Sequence, residues 1–155
     1  TSLFNINRGI IENIYVDYVL KTATYTSNYN GVIATFADNQ LSKTKPSEIR
    51  NCIVNVRLGE GQVLPPSMGS IVGKAGGWTG YVKNCYAIIN NTGIENVYFD
   101  PNGTVAEATC KTSAQFETYQ LLKAGADFSM YDKEIWSFTD TSISFFGREV
   151  YSVNE

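Results

Sequence analysis

The sequence predicts an all-β protein of one domain, a solenoid of about three stacked coils closed by a short α-helix near the C-terminus. Charged residues make up only 17% of the 155 residues and aromatic residues 13%. This composition is typical of strands and polar turns, whereas a helix bundle would be rich in Ala, Leu, Glu and Lys. A short phrase that recurs along the first hundred residues predicts the stacking.

The recurring phrase consists of an aliphatic residue, a charged residue, an asparagine and a small or aliphatic residue. It occurs at residues 11–14, 49–52 and 82–85, so successive copies begin 38 and 33 residues apart, and a fourth copy lies at 94–97. Short alternating strands follow, as in residues 52–57. Such strands bury their apolar side chains only when the next copy stacks on them.

The repeated asparagines and cysteines indicate what stacking would bring together. We expect Asn13, Asn51 and Asn84 to form a structural ladder at one corner, because Asn tolerates a left-handed bend. Cys52 and Cys85 should then be buried neighbours with reduced thiols. A disulfide between them is the alternative, although parallel neighbours in register rarely offer its twisted geometry.

The clearest copy occupies residues 69–86, which read GSIVGKAGGWTGYVKNCY. The glycine and aliphatic start, the glycine-rich turn and the Asn-Cys-Tyr ending resemble a GLUG-type repeat. Such repeats occur in right-handed β-helix regions of bacterial surface proteins, including adhesins, and in some phage proteins. The resemblance covers roughly residues 9–99. It implies a right-handed parallel β-helix in a protein of the extracellular space, the cell surface or the virion surface.

The segment after the repeats changes character, so we divide the single domain into coils at 1–104 and a capping segment at 105–155. Within the capping segment, Thr112 as N-cap and Gly125 as C-terminal stop predict a helix over 113–124. The helix and three aromatic residues should cover the open end of the solenoid. These aromatic residues are Trp136, Phe145 and Phe146.

Several functional classes are excluded by residue types that the chain lacks. There is no histidine, which excludes Ser-His-Asp and Cys-His catalysis and metal sites with histidine ligands. The net charge is −3 and basic residues are scattered, so nucleic-acid binding is not expected. No apolar stretch reaches the roughly 18 residues of a membrane span, and we expect no membrane insertion. We predict no metal and no cofactor. The chain begins with Thr1 rather than Met, and we expect it to be part of a longer protein.

Carboxylates are the remaining groups for acid-base chemistry. The candidates are Asp17, Glu48, Glu60, Asp100, Glu107, Asp127 and Asp132. Stacked copies would place Glu12 beside Arg50 and Lys83, which makes a column of mixed charge rather than a carboxylate pair. We therefore predict no catalytic residues.

Aromatic side chains are the more informative candidates for binding. Trp78 and Tyr81 lie on or beside the glycine-rich turn, with Tyr86 close by, and such side chains suit recognition surfaces. The sequence thus predicts a non-catalytic module of an attachment protein that binds a host or cell-surface glycan or protein receptor. Association of copies in a longer fibre is left open. The alternatives are a polysaccharide depolymerase that uses surface carboxylates and a purely structural stalk spacer.

Overall fold

The computed structural model describes residues 2–7, 9–21, 30–37, 48–62, 68–69, 71–74, 81–88, 108–111 and 127–152. All regular secondary structure within these ranges is β-strand, and no helix is assigned there. The strands are β1 (Phe4–Asn7), β2 (Ile10–Glu12), β3 (Tyr15–Leu20), β4 (Asn30–Gly31), β5 (Ala34–Ala37), β6 (Glu48–Arg50), β7 (Ile53–Leu58), β8 (Met68–Gly69), β9 (Val72–Lys74), β10 (Tyr81–Ile88), β11 (Ala108–Lys111), β12 (Trp136–Phe138), β13 (Ser142–Phe145) and β14 (Arg148–Ser152).

The first eleven strands pair in parallel, copy against copy. The largest sheet has the order β2-β6-β10-β7-β3, and β11 also pairs with β10. Smaller parallel sheets have the orders β1-β5-β9 and β4-β8. The recurring phrases are in register, since Ile49 of β6 pairs with Ile11 on one side and Val82 on the other. Ile53 likewise pairs with both Tyr15 and Tyr86.

Both faces of the large sheet are covered near β7. Val54 and Val56 belong to one core cluster, which also contains Ile33 and Ile49. Ile53 belongs to a second cluster formed with side chains from the C-terminal strands, and it is fully buried. Side chains alternate between the two faces of a strand, so covering both faces requires apolar residues at consecutive positions, as at Ile53-Val54.

The C-terminal strands form a separate antiparallel sheet, ordered β12-β13-β14. Trp136 pairs with Phe145, and the turn between β13 and β14 consists of Phe146 and Gly147. One face of this sheet lies on the large parallel sheet. Trp136 is only 3% exposed there.

The predicted right-handed parallel β-helix of about three coils is wrong. In a coil, the strands on either side of the asparagine bend would belong to different faces. Instead, β10 continues through Asn84 and pairs with both β6 and β7, which brings those strands into one sheet.

The C-terminal cap also differs from the prediction. The aromatic residues expected to cover an open end belong to an antiparallel sheet that covers a face. The predicted helix over 113–124 lies outside the described residues. Within the described part of the chain, no helix is long and apolar enough to cross a membrane.

Candidate functional site

A column of charged side chains crosses β2, β6 and β10. Glu12 pairs in register with Arg50, and Arg50 with Lys83, as the spacing of the recurring phrase predicts. The Arg50 Nε atom donates to Glu12 Oε2 over 2.7 Å. This hydrogen bond is the main cause that raises the pKa of Arg50 above its ordinary value, so Arg50 stays charged.

Glu48 joins this column, although the sequence placed it only among the candidate carboxylates. It precedes Arg50 by two residues on β6, so both side chains point to the same face. Its two oxygens lie 3.2 Å from Arg50 Nη1 and 3.4 Å from Lys83 Nζ. Glu48 therefore bridges the two cations. The alternation of Glu48 and Arg50 on one short strand could have predicted this contact.

These four charged side chains line an open depression of about 430 Å³. Asn51, Asn84 and Met130 complete its lining. The Asn51 Oδ1 atom is buried and has no hydrogen-bond partner among the described residues. Met130 is 65% exposed. The depression thus combines two carboxylates, two cations and amide groups with one apolar side chain.

The three asparagines of the recurring phrase share a backbone conformation. The φ angles of Asn13, Asn51 and Asn84 are 54°, 53° and 48°, all in the left-handed region. The Asn13 backbone N–H donates to the Arg50 carbonyl oxygen, and that of Asn51 to the Lys83 carbonyl oxygen. The bends at Asn13 and Asn51 are therefore each bonded to the residue that precedes the asparagine of the next copy. These bonds hold the backbones of successive copies in register beside the charged column.

Of the three aromatic residues predicted to bind a ligand, Tyr86 lies in the interior rather than on a surface. Tyr86 is 3% exposed, and its ring lies 5.1 Å from that of Phe128 and 6.2 Å from that of Tyr131. Its hydroxyl oxygen accepts a 2.6 Å hydrogen bond from the Asp127 backbone N–H. Tyr86 is therefore part of the contact between the two sheets. Tyr81 is the first residue of β10, and Trp78 lies outside the described residues.

Two of the three cysteines lie side by side in the core. Cys52 and Cys85 are fully buried, and neither forms a disulfide bond. A hydrogen bond with Cys85 is the main cause that raises the pKa of the Cys52 thiol, and burial adds to it. Within the described ranges, no three His, Cys, Asp or Glu residues are arranged to hold a metal ion.

Comparison of the chain with protein-family models, curated proteins and solved structures gives no match. The proposed function therefore rests on the geometry of the site and on the sequence.

Proposed function

We propose that this chain is a non-catalytic module of an extracellular or virion-surface attachment protein, and that it binds a receptor glycan in the depression beside β2, β6 and β10. The GLUG-type resemblance and the low charge content support an attachment protein. A glycan is favoured over a protein receptor because the lining offers many hydrogen-bonding groups in a small space. Protein interfaces bury about 800 Å² on each partner around an apolar centre.

The observation that carries this proposal is the pairing of both carboxylates of the depression with cations. Glu12 lies 2.7 Å from Arg50, and Glu48 lies within 3.4 Å of both Arg50 and Lys83. A glycoside hydrolase needs one protonated carboxyl as the general acid and a second carboxylate as nucleophile or base. In this depression Glu12 is engaged in an ion pair with Arg50, and Glu48 in ion pairs with Arg50 and Lys83. The arrangement therefore suits binding better than acid-base catalysis.

The charge balance also favours a neutral ligand. The two carboxylates and two cations of the depression sum to zero, so a strongly charged ligand would meet no excess of opposite charge. Hydroxyl groups both donate and accept hydrogen bonds, as this lining requires.

Two arginine variants test this proposal. Arg50→Ala removes the side chain that links both carboxylates of the depression. Arg57→Ala is its matched control, since Arg57 also forms an exposed ion pair across parallel strands, with Asp17 at 2.7 Å, but does not line the depression. We expect the wild type to bind neutral oligosaccharides on a glycan array. Arg50→Ala should then weaken binding roughly tenfold, equivalent to about 1.4 kcal/mol, while Arg57→Ala binds normally.

Each contrary result has a definite meaning. An array without any bound glycan would overturn the proposed ligand, and capture of a host protein in its place would indicate a protein receptor. Oligosaccharides that are shortened during incubation would indicate a depolymerase. Equal binding by the two arginine variants would exclude the depression as the site.

A further inference from the structure

The turn between β13 and β14 has an unusual residue at its first position. Phe145 pairs with Arg148, so the turn itself contains only Phe146 and Gly147. Their φ angles are 50° and 74°. Positive φ at both positions defines a type I′ hairpin turn, in which Asn-Gly is strongly preferred.

Phenylalanine is unfavourable at this position, and burial does not compensate for it. A bulky side chain in the left-handed region crowds its own backbone. The Phe146 ring is 69% exposed, more than any other large hydrophobic side chain that the structure describes. It contacts the Phe145 ring edge-on at a centroid distance of 4.7 Å. The sequence thus keeps an aromatic ring in water where Asn would give a more stable turn.

The turn holds this ring in a defined place. The Phe146 backbone N–H donates to the Ile135 carbonyl oxygen over 2.7 Å, which ties the turn to the residue before β12. Trp136 and Ile143 of the same sheet are buried. The backbone that carries the ring is therefore held in place by the sheet, and little backbone freedom remains to be lost when a ligand stacks on the ring.

We propose that Phe146 is a second contact for the receptor glycan, on which the apolar face of a pyranose ring stacks. The carbon-bound hydrogens of a sugar face carry partial positive charge and are attracted to the electron-rich face of an aromatic ring. The surroundings fit a sugar, because Gly147, Arg148 and Glu149 are all exposed and polar groups of this kind bind the hydroxyl rim. The inference rests on the proposed function, since it specifies how the same receptor is held.

Substitutions at Phe146 separate this role from a structural one. Phe146→Asn installs the preferred turn residue and removes the ring, whereas Phe146→Trp keeps an aromatic face. Phe4→Thr is the matched control, since Phe4 is 44% exposed on β1 and lies in a strand rather than a turn. Each variant is melted, and each is titrated by calorimetry with the neutral oligosaccharide that the wild type binds most tightly on the array.

We expect Phe146→Asn to melt about 3 °C higher than the wild type and to bind roughly tenfold more weakly. Phe146→Trp should bind at least as tightly as the wild type, and Phe4→Thr should bind normally. A lower melting temperature for Phe146→Asn would show that the ring is structural and would overturn the inference, as would unchanged binding. If Arg50→Ala weakens binding and Phe146→Asn does not, only this inference fails. If the wild type binds no saccharide, both proposals fail.

Discussion

The indole N–H of Trp136 donates a hydrogen bond of 3.3 Å to the side-chain oxygen of Asn13, which lies 123 positions earlier in the chain. The bond joins the antiparallel sheet to the bend in the first copy of the recurring phrase. The left-handed conformation of Asn13 thus serves two purposes, since it turns the backbone and presents an acceptor to a buried indole.

We predict that the asparagine bends need Asn or Gly. Asn51→Ala should lower the free energy of unfolding by about 1–2 kcal/mol, because alanine is strained at positive φ. Asn51→Gly should stay within about 0.5 kcal/mol of the wild type, because glycine adopts that conformation freely. Asn13→Gly should lose about 1 kcal/mol more than Asn51→Gly, because Trp136 loses its partner. Urea unfolding of the three variants checks this. Equal stability of Asn51→Ala and Asn51→Gly would contradict it.

Tyr131 connects the two sheets at another point. Its hydroxyl group is hydrogen-bonded to the Asn84 carbonyl oxygen. The hydroxyl oxygen also lies 3.2 Å from the Cys52 carbonyl oxygen. Because Tyr131 is only 3% exposed, Tyr131→Phe leaves a carbonyl without its partner and should lower the free energy of unfolding by about 1–3 kcal/mol. Tyr15→Phe is the comparison, since the half-buried Tyr15 donates to the Val150 carbonyl oxygen. Chemical unfolding should show the larger loss for Tyr131→Phe, and the reverse order would contradict this prediction.

The thiols of Cys52 and Cys85 should be unreactive in the folded protein. Both are buried, and the pKa of Cys52 is raised, so the reactive thiolate is scarce. Titration with a thiol reagent at pH 8 should leave both thiols unmodified in native conditions, as peptide mapping can show. After unfolding, without a reductant, it should count three free thiols. A count of one would reveal a disulfide.

Stability should fall at alkaline pH. Burial raises the pKa of Tyr15 and of Tyr18 above the ordinary value of 10.0, and the pKa of Cys52 lies above its ordinary 9.0. The folded state therefore favours the protonated forms. The stability that these protonated groups contribute is fully present below their ordinary pKa values. It is lost as the pH rises through their raised pKa values in the folded state. The free energy of unfolding should decline above about pH 9, and less steeply in Tyr15→Phe. A flat profile up to pH 11 would contradict the prediction.

The recurring phrase predicted the charged column and the asparagine bends because both follow from register alone. Once Glu12, Arg50 and Lys83 occupy equivalent positions on adjacent parallel strands, their contact needs no further information. The arrangement of the sheets did not follow in the same way. A left-handed Asn84 can end a strand or lie within one, and tertiary pairing decides which.

The C-terminal sheet was missed for a different reason. Its turn contains Phe146-Gly147, which lacks the Asn-Gly or Asp-Gly signal of a type I′ hairpin. The sequence predicted that Trp136, Phe145 and Phe146 cover the end of a solenoid, whereas Trp136 and Phe145 pack against a face of the large sheet and Phe146 is 69% exposed. Tyr86 is buried because the C-terminal sheet covers it. The sequence could not predict this, because nothing near Tyr86 distinguishes a tyrosine that faces solvent from one that packs against a second sheet.

The sheet contact described above also bears on the order in which the chain is made. Tyr15, Ile53 and Tyr86 lie on three separate strands, and the side chains that cover them come from residues 128–151. During synthesis the three strands leave the ribosome before their cover exists, so the nascent chain carries an exposed apolar surface that can associate with other chains. A premature stop codon after residue 135 would make this exposure permanent. We would then expect the truncated chain to aggregate.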